Sequence, residues 1–545
     1  MKYCSQISME NHKENTRLLL LTIKEKIGKP VSNKVVMATI ESLGIRNKDT
    51  EIDFGVTSIR FLADIIFEEL TTSEEHKGAK NSKEQAILKS NPDVIQLSDY
   101  LLVKAKIFMH YFPLGIFHLL PVFLQILTIV FFGYSLWTFI GFNQVQSTAV
   151  VLGVVIGLVA TAGFVQVIGR QASFYWHHDD FIMTKNSVNY LLKVGISVLF
   201  IVLLSVFLCN FFFHLYPFRV LFIVFAYAFL IGTLLLLLAP LHTIQQRWVI
   251  SVSIFVGTVI AVLLKTQTYL SIYFTHWIGI ISAIIISKIY LDLFFKKLLH
   301  KGNTNFNIVV MPNVFLYHNY KYFFYGLGLY LFIFIDRILA WSSTKNGQLP
   351  YVIYFDKNYE LGMDIAILVF LLLSGVLEFG VASFSKFLDI EQKNTSYKTP
   401  KTFNLKLKIM YWQHVFLLII TSFLIFILIY NVINSNWGYK AHFKEALDLI
   451  SINVSIIGGI GYVFLAWGML NTLYLFTLSQ PTMPFKAIAI ALFTNLFIGF
   501  FCSRFISYEF SVFGLLVGAI VFMAITLKAT LDFLNKLDYF YYAAY

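Results

Sequence analysis

Twelve separate stretches of this chain are apolar over lengths that can cross a lipid bilayer, and no other feature narrows its possible folds so far. A helix spanning the hydrocarbon needs about 20 predominantly apolar residues. The first six stretches run near 113–139, 147–169, 188–212, 219–239, 248–268 and 271–295. The second six run near 321–343, 364–387, 411–433, 449–477, 485–506 and 510–532. Runs such as Leu234–Leu238 and Ile367–Leu373 are apolar without interruption, whereas strands of a membrane barrel alternate. The expected fold is therefore all-α: a polytopic membrane protein of about twelve transmembrane helices. The segment His300–Tyr320 parts six crossings from six, which suggests two six-helix bundles around a central cavity, although no residue-level repeat relates the halves.

Charge divides the chain a second way. Residues 1–105 hold 15 Lys+Arg and 15 Asp+Glu, whereas the remaining 440 residues hold 27 basic and 15 acidic ones, so the net charge of +12 lies in the second part. The expected organisation is a small soluble helical domain, 1–105, ahead of a transmembrane domain, 106–545. The apolar patch Leu18–Ile23 is too short and too charged at its flanks for a signal peptide, which leaves the N-terminus in the cytoplasm. Seventeen basic residues fall on the segments that this start makes cytoplasmic and seven on the opposite ones, the bias that sets orientation. Both termini are expected inside. Cys4, Cys209 and Cys502 are too scattered for a disulfide framework or a metal site, and His177, His178, Asp179 and Asp180 are too crowded to converge on one ion.

Ionised groups at membrane depth usually face a cavity or a partner. Asp336 and Arg337 in the seventh crossing and Glu378 in the eighth are the candidates for a substrate path or gate, and antiparallel neighbouring helices could bring Arg337 towards Glu378. The alternative is a structural ion pair locking two helices. Gln166 and Arg170, at the end of the second crossing, extend the candidate path. Gly326, Gly328, Gly458, Gly459 and Gly461 suit tight helix packing. Trp341, Trp412, Trp437 and Tyr411 are expected as interfacial anchors. No phosphate-binding lysine loop, GxSxG or HExxH motif is present, so no catalytic site is expected.

Several of these segments share a likeness. Asp336-Arg337-Ile338-Leu339-Ala340-Trp341, with Tyr325-Gly326-Leu327-Gly328 before it, resembles the seventh crossing of the PelG-like exopolysaccharide transporters. Ser374-Gly375-Val376-Leu377-Glu378-Phe379 resembles their eighth, with Ser374 in place of proline. Gly163–Arg170 and Arg247–Gly257 are similar to their second and fifth. The resemblance, over about residues 110–540, implies the multidrug/oligosaccharidyl-lipid/polysaccharide exporter superfamily. It further implies an exopolysaccharide as cargo, a place in the bacterial inner membrane, and partners in a cytoplasmic glycosyltransferase and other subunits of an export complex. Membrane lipid is a partner by construction; nucleic acid is not expected. One rival is a flippase for a lipid-linked oligosaccharide, whose cavity would be lined by basic residues. Another is a membrane acyltransferase using His118, His214 or His276.

In the soluble part, helices are expected over Asn11–Ile27 and Val35–Leu43, and a third with Thr57 or Ser58 as its cap and Ile59, Leu62, Ile66 and Leu70 as its inner stripe. A last helix is expected after Asn91-Pro92, carrying Val94, Leu97, Tyr100 and Leu101. The run Phe54-Gly55-Val56-Thr57-Ser58-Ile59 resembles the second-helix start of acyl carrier proteins, with Thr57 where those have aspartate. That resemblance implies a 4′-phosphopantetheine arm on Ser58; the alternative is an unmodified docking domain in which Ser58 is only a cap.

Overall fold

A computed structural model of the chain describes residues 2–27, 30, 32–78, 97–117, 120–299, 312–343, 349–394, 400–435 and 447–543. The soluble part is built from α1 (Lys2–Ile27), α2 (Asn33–Ser42), α3 (Asp49–Phe54) and α4 (Ile59–Gly78). Ile23, Val36, Ile40, Leu62 and Ile66 are fully buried together, so the expected stripe does face a core. The short α3 was not legible from periodicity because one and a half turns carry too few apolar positions. Gly55 ends it at φ +65°, a left-handed cap.

The expected last helix of the soluble part lies in part outside the described residues. From Leu97 onward it is α5 (Leu97–Phe117), which runs unbroken through residue 105 into the first crossing. It is followed, at a 44° bend, by α6 (Leu120–Phe132). Pro121, in the first turn of α6, has no N–H to continue the ladder from α5. The first crossing thus ends at Phe132 rather than near residue 139, where a turn bridges Tyr134 and Phe139.

The remaining crossings are α7 (Gln144–His177), α8 (Phe181–Phe213), α9 (Phe218–Thr243), α10 (Arg247–Gln267) and α11 (Ile272–Leu299), followed by α12 (Pro312–Trp341), α13 (Lys357–Asn394), α14 (Pro400–Asn434), α15 (Leu449–Thr477), α16 (Thr482–Phe505) and α17 (Val512–Asn535). A 3₁₀ turn, Tyr508–Ser511, leads into α17, and a short α18 (Leu537–Ala543) follows it. Among the described residues, eleven spans are long and apolar enough to cross a membrane, and there are twelve if the bent α5–α6 pair counts as one span.

The helices form two lobes. In the first, α7 packs along α9 and α10 along α11; in the second, α13 packs along α15 and α16 along α17. The lobes meet where α7 lies on α12 and where α5 lies on α13. These are the second crossing on the seventh and the first on the eighth, so exchanging the halves maps one contact onto the other. The internal symmetry absent from the sequence is present in the packing. Glycine permits both approaches: a Cβ on Gly115 would stand 2.6 Å from the Gly375 Cα, and one on Gly326 would stand 2.7 Å from the Gln166 Cβ.

Because the spans alternate in direction, one face of the molecule carries α18 and the soluble helices, and is called here the terminal face; the other is the distal face. Helix α2 packs on α18, the Ser32 hydroxyl donates to Asp538 at 2.7 Å, and the Tyr539 hydroxyl donates to Glu41 at 2.9 Å. Two of the expected interfacial anchors are internal instead. Trp341 is buried against Phe355, and Tyr411 is buried with its hydroxyl donating to Asn471 at 2.6 Å. Trp412 is exposed on the outer surface, and Trp437 lies outside the described residues.

Candidate functional site

Crossing two meets the second lobe along the face that carries Ala162, Gln166 and Arg170. Where α7 and α9 of the first lobe diverge from α12 and α15 of the second, a cavity of about 350 Å³ remains. Its polar lining is Gln166, Arg170 and Ser173 from α7, with His242 and Thr243 from α9. Tyr322 and Phe476 supply an aromatic wall from the second lobe, their ring centroids 5.0 Å apart. The sequence-predicted Gln166 and Arg170 therefore share one inter-lobe cavity.

Arg170 also spans it. Its Nη2 donates to the Ser479 hydroxyl at 2.5 Å, and its guanidinium stands 5.3 Å from the Tyr322 ring centroid. Ser479 lies in the turn between α15 and α16 at φ +57°, in the left-handed region that a serine rarely adopts. The Gln480 N–H donating to the Leu475 carbonyl at 2.9 Å holds that turn. Gln245, at φ +61° between α9 and α10, makes the matching turn in the first lobe.

Directly after that turn, Arg247 opens α10. Its Nη2 donates to Glu378 Oε1 of α13 at 2.9 Å, joining the lobes beside the Gly115–Gly375 contact. The expected approach of Arg337 to Glu378 is thus corrected: Glu378 pairs with Arg247. Sequence reading missed Arg247 as a site residue, although a cation on the first turn of an apolar helix, near the depth of Glu378, was the available signal.

Asp336 and Arg337 lie inside the second lobe, near its distal end. Arg337 pairs with Glu360 and, at 3.4 Å, with Asp364, both on α13. Asp336 accepts from the Tyr359 hydroxyl at 2.8 Å, and Tyr359 in turn accepts from Ser511 at 2.8 Å. Asp336, Arg337 and Tyr359 are buried, and none of them lines the inter-lobe cavity.

The distal face is closed by the segment before α13. The Tyr216 hydroxyl, from the turn between α8 and α9, donates to the Ile353 carbonyl at 2.7 Å and accepts from its N–H at 3.2 Å. Gln144 donates to the Phe355 carbonyl at 2.9 Å, and the Phe355 N–H donates to Thr148 at 3.0 Å. Burial pushes the Tyr216 phenol up to about 12, so it stays protonated at any ordinary pH.

Of the three histidines, His118 lies outside the described residues, and His214 is an exposed left-handed cap of α8. His276 is wholly buried, with the Tyr227 hydroxyl 2.5 Å from its Nδ1. Asp180 caps α8 by accepting from the Met183 N–H. In the soluble part, Ser58 is half-buried at the start of α4, its hydroxyl accepting from the Phe61 N–H at 3.3 Å, with Thr57 and Arg60 exposed beside it.

No protein-family profile and no curated protein matches the sequence. Solved structures do match the fold. A Vibrio cholerae MATE transporter is similar at 14% identity, covering 81% of this chain and 99% of its own, with a TM-score of 0.56. An outward-facing multidrug-resistance transporter of the MATE family, in the MOP superfamily, matches at 12% identity, 79% and 97% coverage, and a TM-score of 0.54. A eukaryotic MATE transporter matches at 12% identity, 80% and 99% coverage, and a TM-score of 0.53. At such identities the likeness is one of fold.

Proposed function

We propose that this chain is an exporter of a glycan, an exopolysaccharide of the Pel type, working by alternating access between its two lobes in the bacterial inner membrane. In this reading the terminal face is cytoplasmic, and a glycosyltransferase and other export subunits supply cargo there. The fold shared with MATE transporters supports a transport role. The observation that carries the reading is the open cavity between the lobes on the terminal face, together with the polar ties that join the lobes near both faces.

Magnitudes separate gate from scaffold. The Arg247–Glu378 pair keeps roughly a quarter of its side-chain surface exposed, so its charges stay partly solvated when they separate and parting them costs less than parting a sealed pair. Such a tie can break and reform during a transport cycle. The Arg337–Glu360 pair is almost sealed, and separating a buried pair costs about 3–5 kcal/mol. Glu378, with Arg247, is accordingly the gate, whereas Asp336 and Arg337 hold α12 to α13 within one lobe.

Glycan secretion with membrane abundance measured alongside tests this. Glu378→Gln and Arg247→Gln should each lower export severalfold at unchanged abundance, and the exchange Arg247→Glu with Glu378→Arg should recover much of it. Unaltered secretion by both single variants would reject the gate.

A lipid-linked oligosaccharide flippase is the second reading, favoured by one observation: Arg170, a cation, faces the cavity. The acyltransferase reading loses His276, which is enclosed, and is left with the exposed His214 and with His118, which lies outside the described residues. For the soluble part we propose the carrier role, with a phosphopantetheine arm on Ser58. The residues fit at the level of access: the hydroxyl is half-exposed, and a phosphodiester there would meet the N-terminal end of the 20-residue α4. When attached, the arm would present a thiol for acyl transfer. Intact-mass analysis after co-expression with a broad-specificity modifying enzyme tests it; an unmodified chain would leave a docking domain.

A further inference from the structure

We propose that the terminal-face end of α11 carries a binding site for an acidic phospholipid of the surrounding leaflet, and that the bound lipid steadies the first turn of α10. The inference goes beyond the transport reading and stands without it. A cavity of about 400 Å³, separate from the one between the lobes, opens there. Among the described residues it is lined by Tyr290, Leu293, Phe294, Lys297 and Leu298. Their spacing of three and four residues places them on one face of the last turns of α11.

Depth is the first argument. The rings of Trp248 and Tyr290 meet edge to face, centroids 5.4 Å apart. Both turn their polar ends to one acceptor: the Tyr290 hydroxyl donates to Gln246 Oε1 at 2.8 Å, and the Trp248 indole N–H donates to it at 3.2 Å. Trp248 is exposed on the outer surface, and amphipathic rings so placed mark the level where lipid tails meet headgroups. Lys297 lies two turns further towards the terminal end. Its side chain leaves the helix tilted back towards the bilayer, as Cα–Cβ bonds lean to a helix's N-terminal side, which puts the ammonium within reach of a lipid phosphate.

Charge is the second. Between Asp292 and Asp336 the chain holds Lys296, Lys297, Lys301 and Lys321 and no carboxylate. Asp292 is itself engaged by Lys288 at 2.8 Å, and among the described residues no carboxylate pairs with Lys297. The carbonyl end of a helix carries about half a negative charge, which Lys296 and Lys297 together exceed. Basic pockets of this kind beside transmembrane helices suit acidic headgroups. Shape is the third argument. Leu293 is 60% exposed, and Ile281, Ile285 and Ile289 extend the same exposed ridge towards the bilayer centre, a track for an acyl chain. The cavity falls within the range of ligand sites, about 300 to 1,000 Å³, with room for a glycerophosphate but not for a whole lipid.

The effect on α10 follows from Tyr290, which both lines the cavity and holds Gln246. Gln246 directly precedes Arg247, whose Nη2 donates to Glu378 at 2.9 Å. A lipid packed on the Tyr290 ring restricts it, and with it the start of α10.

The test uses the full chain in detergent micelles, titrated with phosphatidylglycerol or with phosphatidylcholine of the same chains, and counts bound lipid by native mass spectrometry. Phosphatidylglycerol should bind more tightly by about fivefold or more, the worth of one lysine beside an acidic headgroup. Lys297→Gln should remove that preference and Lys297→Arg should keep it. Lys486→Gln, an exposed lysine on the terminal face of the second lobe, should leave it unchanged, which separates a site from a general surface attraction. Leu293→Trp, which fills the cavity and keeps every charge, should weaken phosphatidylglycerol severalfold. Bound phosphatidylglycerol should also slow hydrogen exchange at residues 249–253 in the wild type and not in Lys297→Gln. Equal binding of the two lipids, or a preference unmoved by Lys297→Gln and Leu293→Trp, would overturn the site. Displacement of the lipid by millimolar inorganic phosphate would assign the lysine to a soluble anion and overturn the lipid as its ligand, and exchange unaltered by bound lipid would overturn the effect on α10.

Discussion

Three charged positions at membrane depth were visible in the sequence, but their partners were not. Periodicity gives a helix its face, whereas pairing depends on the relative depth and rotation of two helices, which no single segment encodes. Glu360 fell in what reads as an external loop, yet α13 begins at Lys357 and carries Glu360 and Asp364 one turn apart on the same face. That spacing was the signal that could have turned Arg337 away from Glu378. Because Arg337 serves Glu360 and Asp364 together, Arg337→Met should destabilise the protein by about 3–5 kcal/mol. Adding Glu360→Gln should recover part of the loss, since one carboxylate then no longer needs a cation. Thermal unfolding in detergent reads both, and equal stability of the single variant and the wild type would reject the buried pair as a fastener. Tyr216 differs, being a neutral tie. With its phenol raised to about 12 from an ordinary value of about 10, the protonated form is favoured in the folded state. Its contribution is complete below about pH 10 and is lost as pH rises towards 12. Tyr216→Phe should therefore open the distal face to a membrane-impermeant thiol reagent at a cysteine introduced at Leu152, which packs beside Tyr216 and Ile353, raising the labelling rate over the otherwise identical Tyr216 parent by the same factor at pH 6 and pH 8.

Helices were the most legible elements because long apolar runs admit few alternatives, and eleven of the twelve expected crossings are single helices. Their ends were less so. The sequence could not show that the first crossing grows out of the soluble part as α5, nor that it is bent before α6, since Pro121 reads equally well as a helix start. Contacts between elements follow the small residues. A Cβ on Gly115 would meet the Gly375 Cα at 2.6 Å and the Glu378 Cβ at 3.1 Å, whereas one on Gly169 meets nothing nearer than Thr243 Oγ1 at 3.9 Å. Gly115→Ala should then cost about 1–3 kcal/mol through overpacking and disturb the neighbouring Arg247–Glu378 ion pair. Gly169→Ala should be close to neutral in stability. Comparable unfolding temperatures for the two variants would mean that α5 and α13 are not held at the separation seen here.

At the scale of the whole molecule, the soluble helices are fastened to the second lobe rather than hung from a tether. Asp538 is buried, accepts from Ser32 of the soluble part at 2.7 Å and from Asn404 Nδ2 of α14 at 3.0 Å, and thereby joins three parts of the chain. Tyr539 adds the bond to Glu41, and burial together with that carboxylate raises its phenol, which keeps the donor protonated. Charge balance in the sequence suggests a separate N-terminal part; it could not give the seat of that part, because Ser32 and Asp538 are 506 residues apart and neither belongs to a recognisable pattern. The seat bears on the proposed transport cycle: in that reading, movement of the second lobe would carry these helices with it. Asp538→Ala leaves Ser32 and Asn404 without their shared acceptor, a loss of about 1–3 kcal/mol at a buried polar junction. Hydrogen exchange should then quicken in α2 and α18 while the amides of α7 and α9 keep their protection. Unchanged exchange in α2 would mean that the helix is held by its apolar contacts with α18 alone, and the buried carboxylate would lose its place as the fastening of the module.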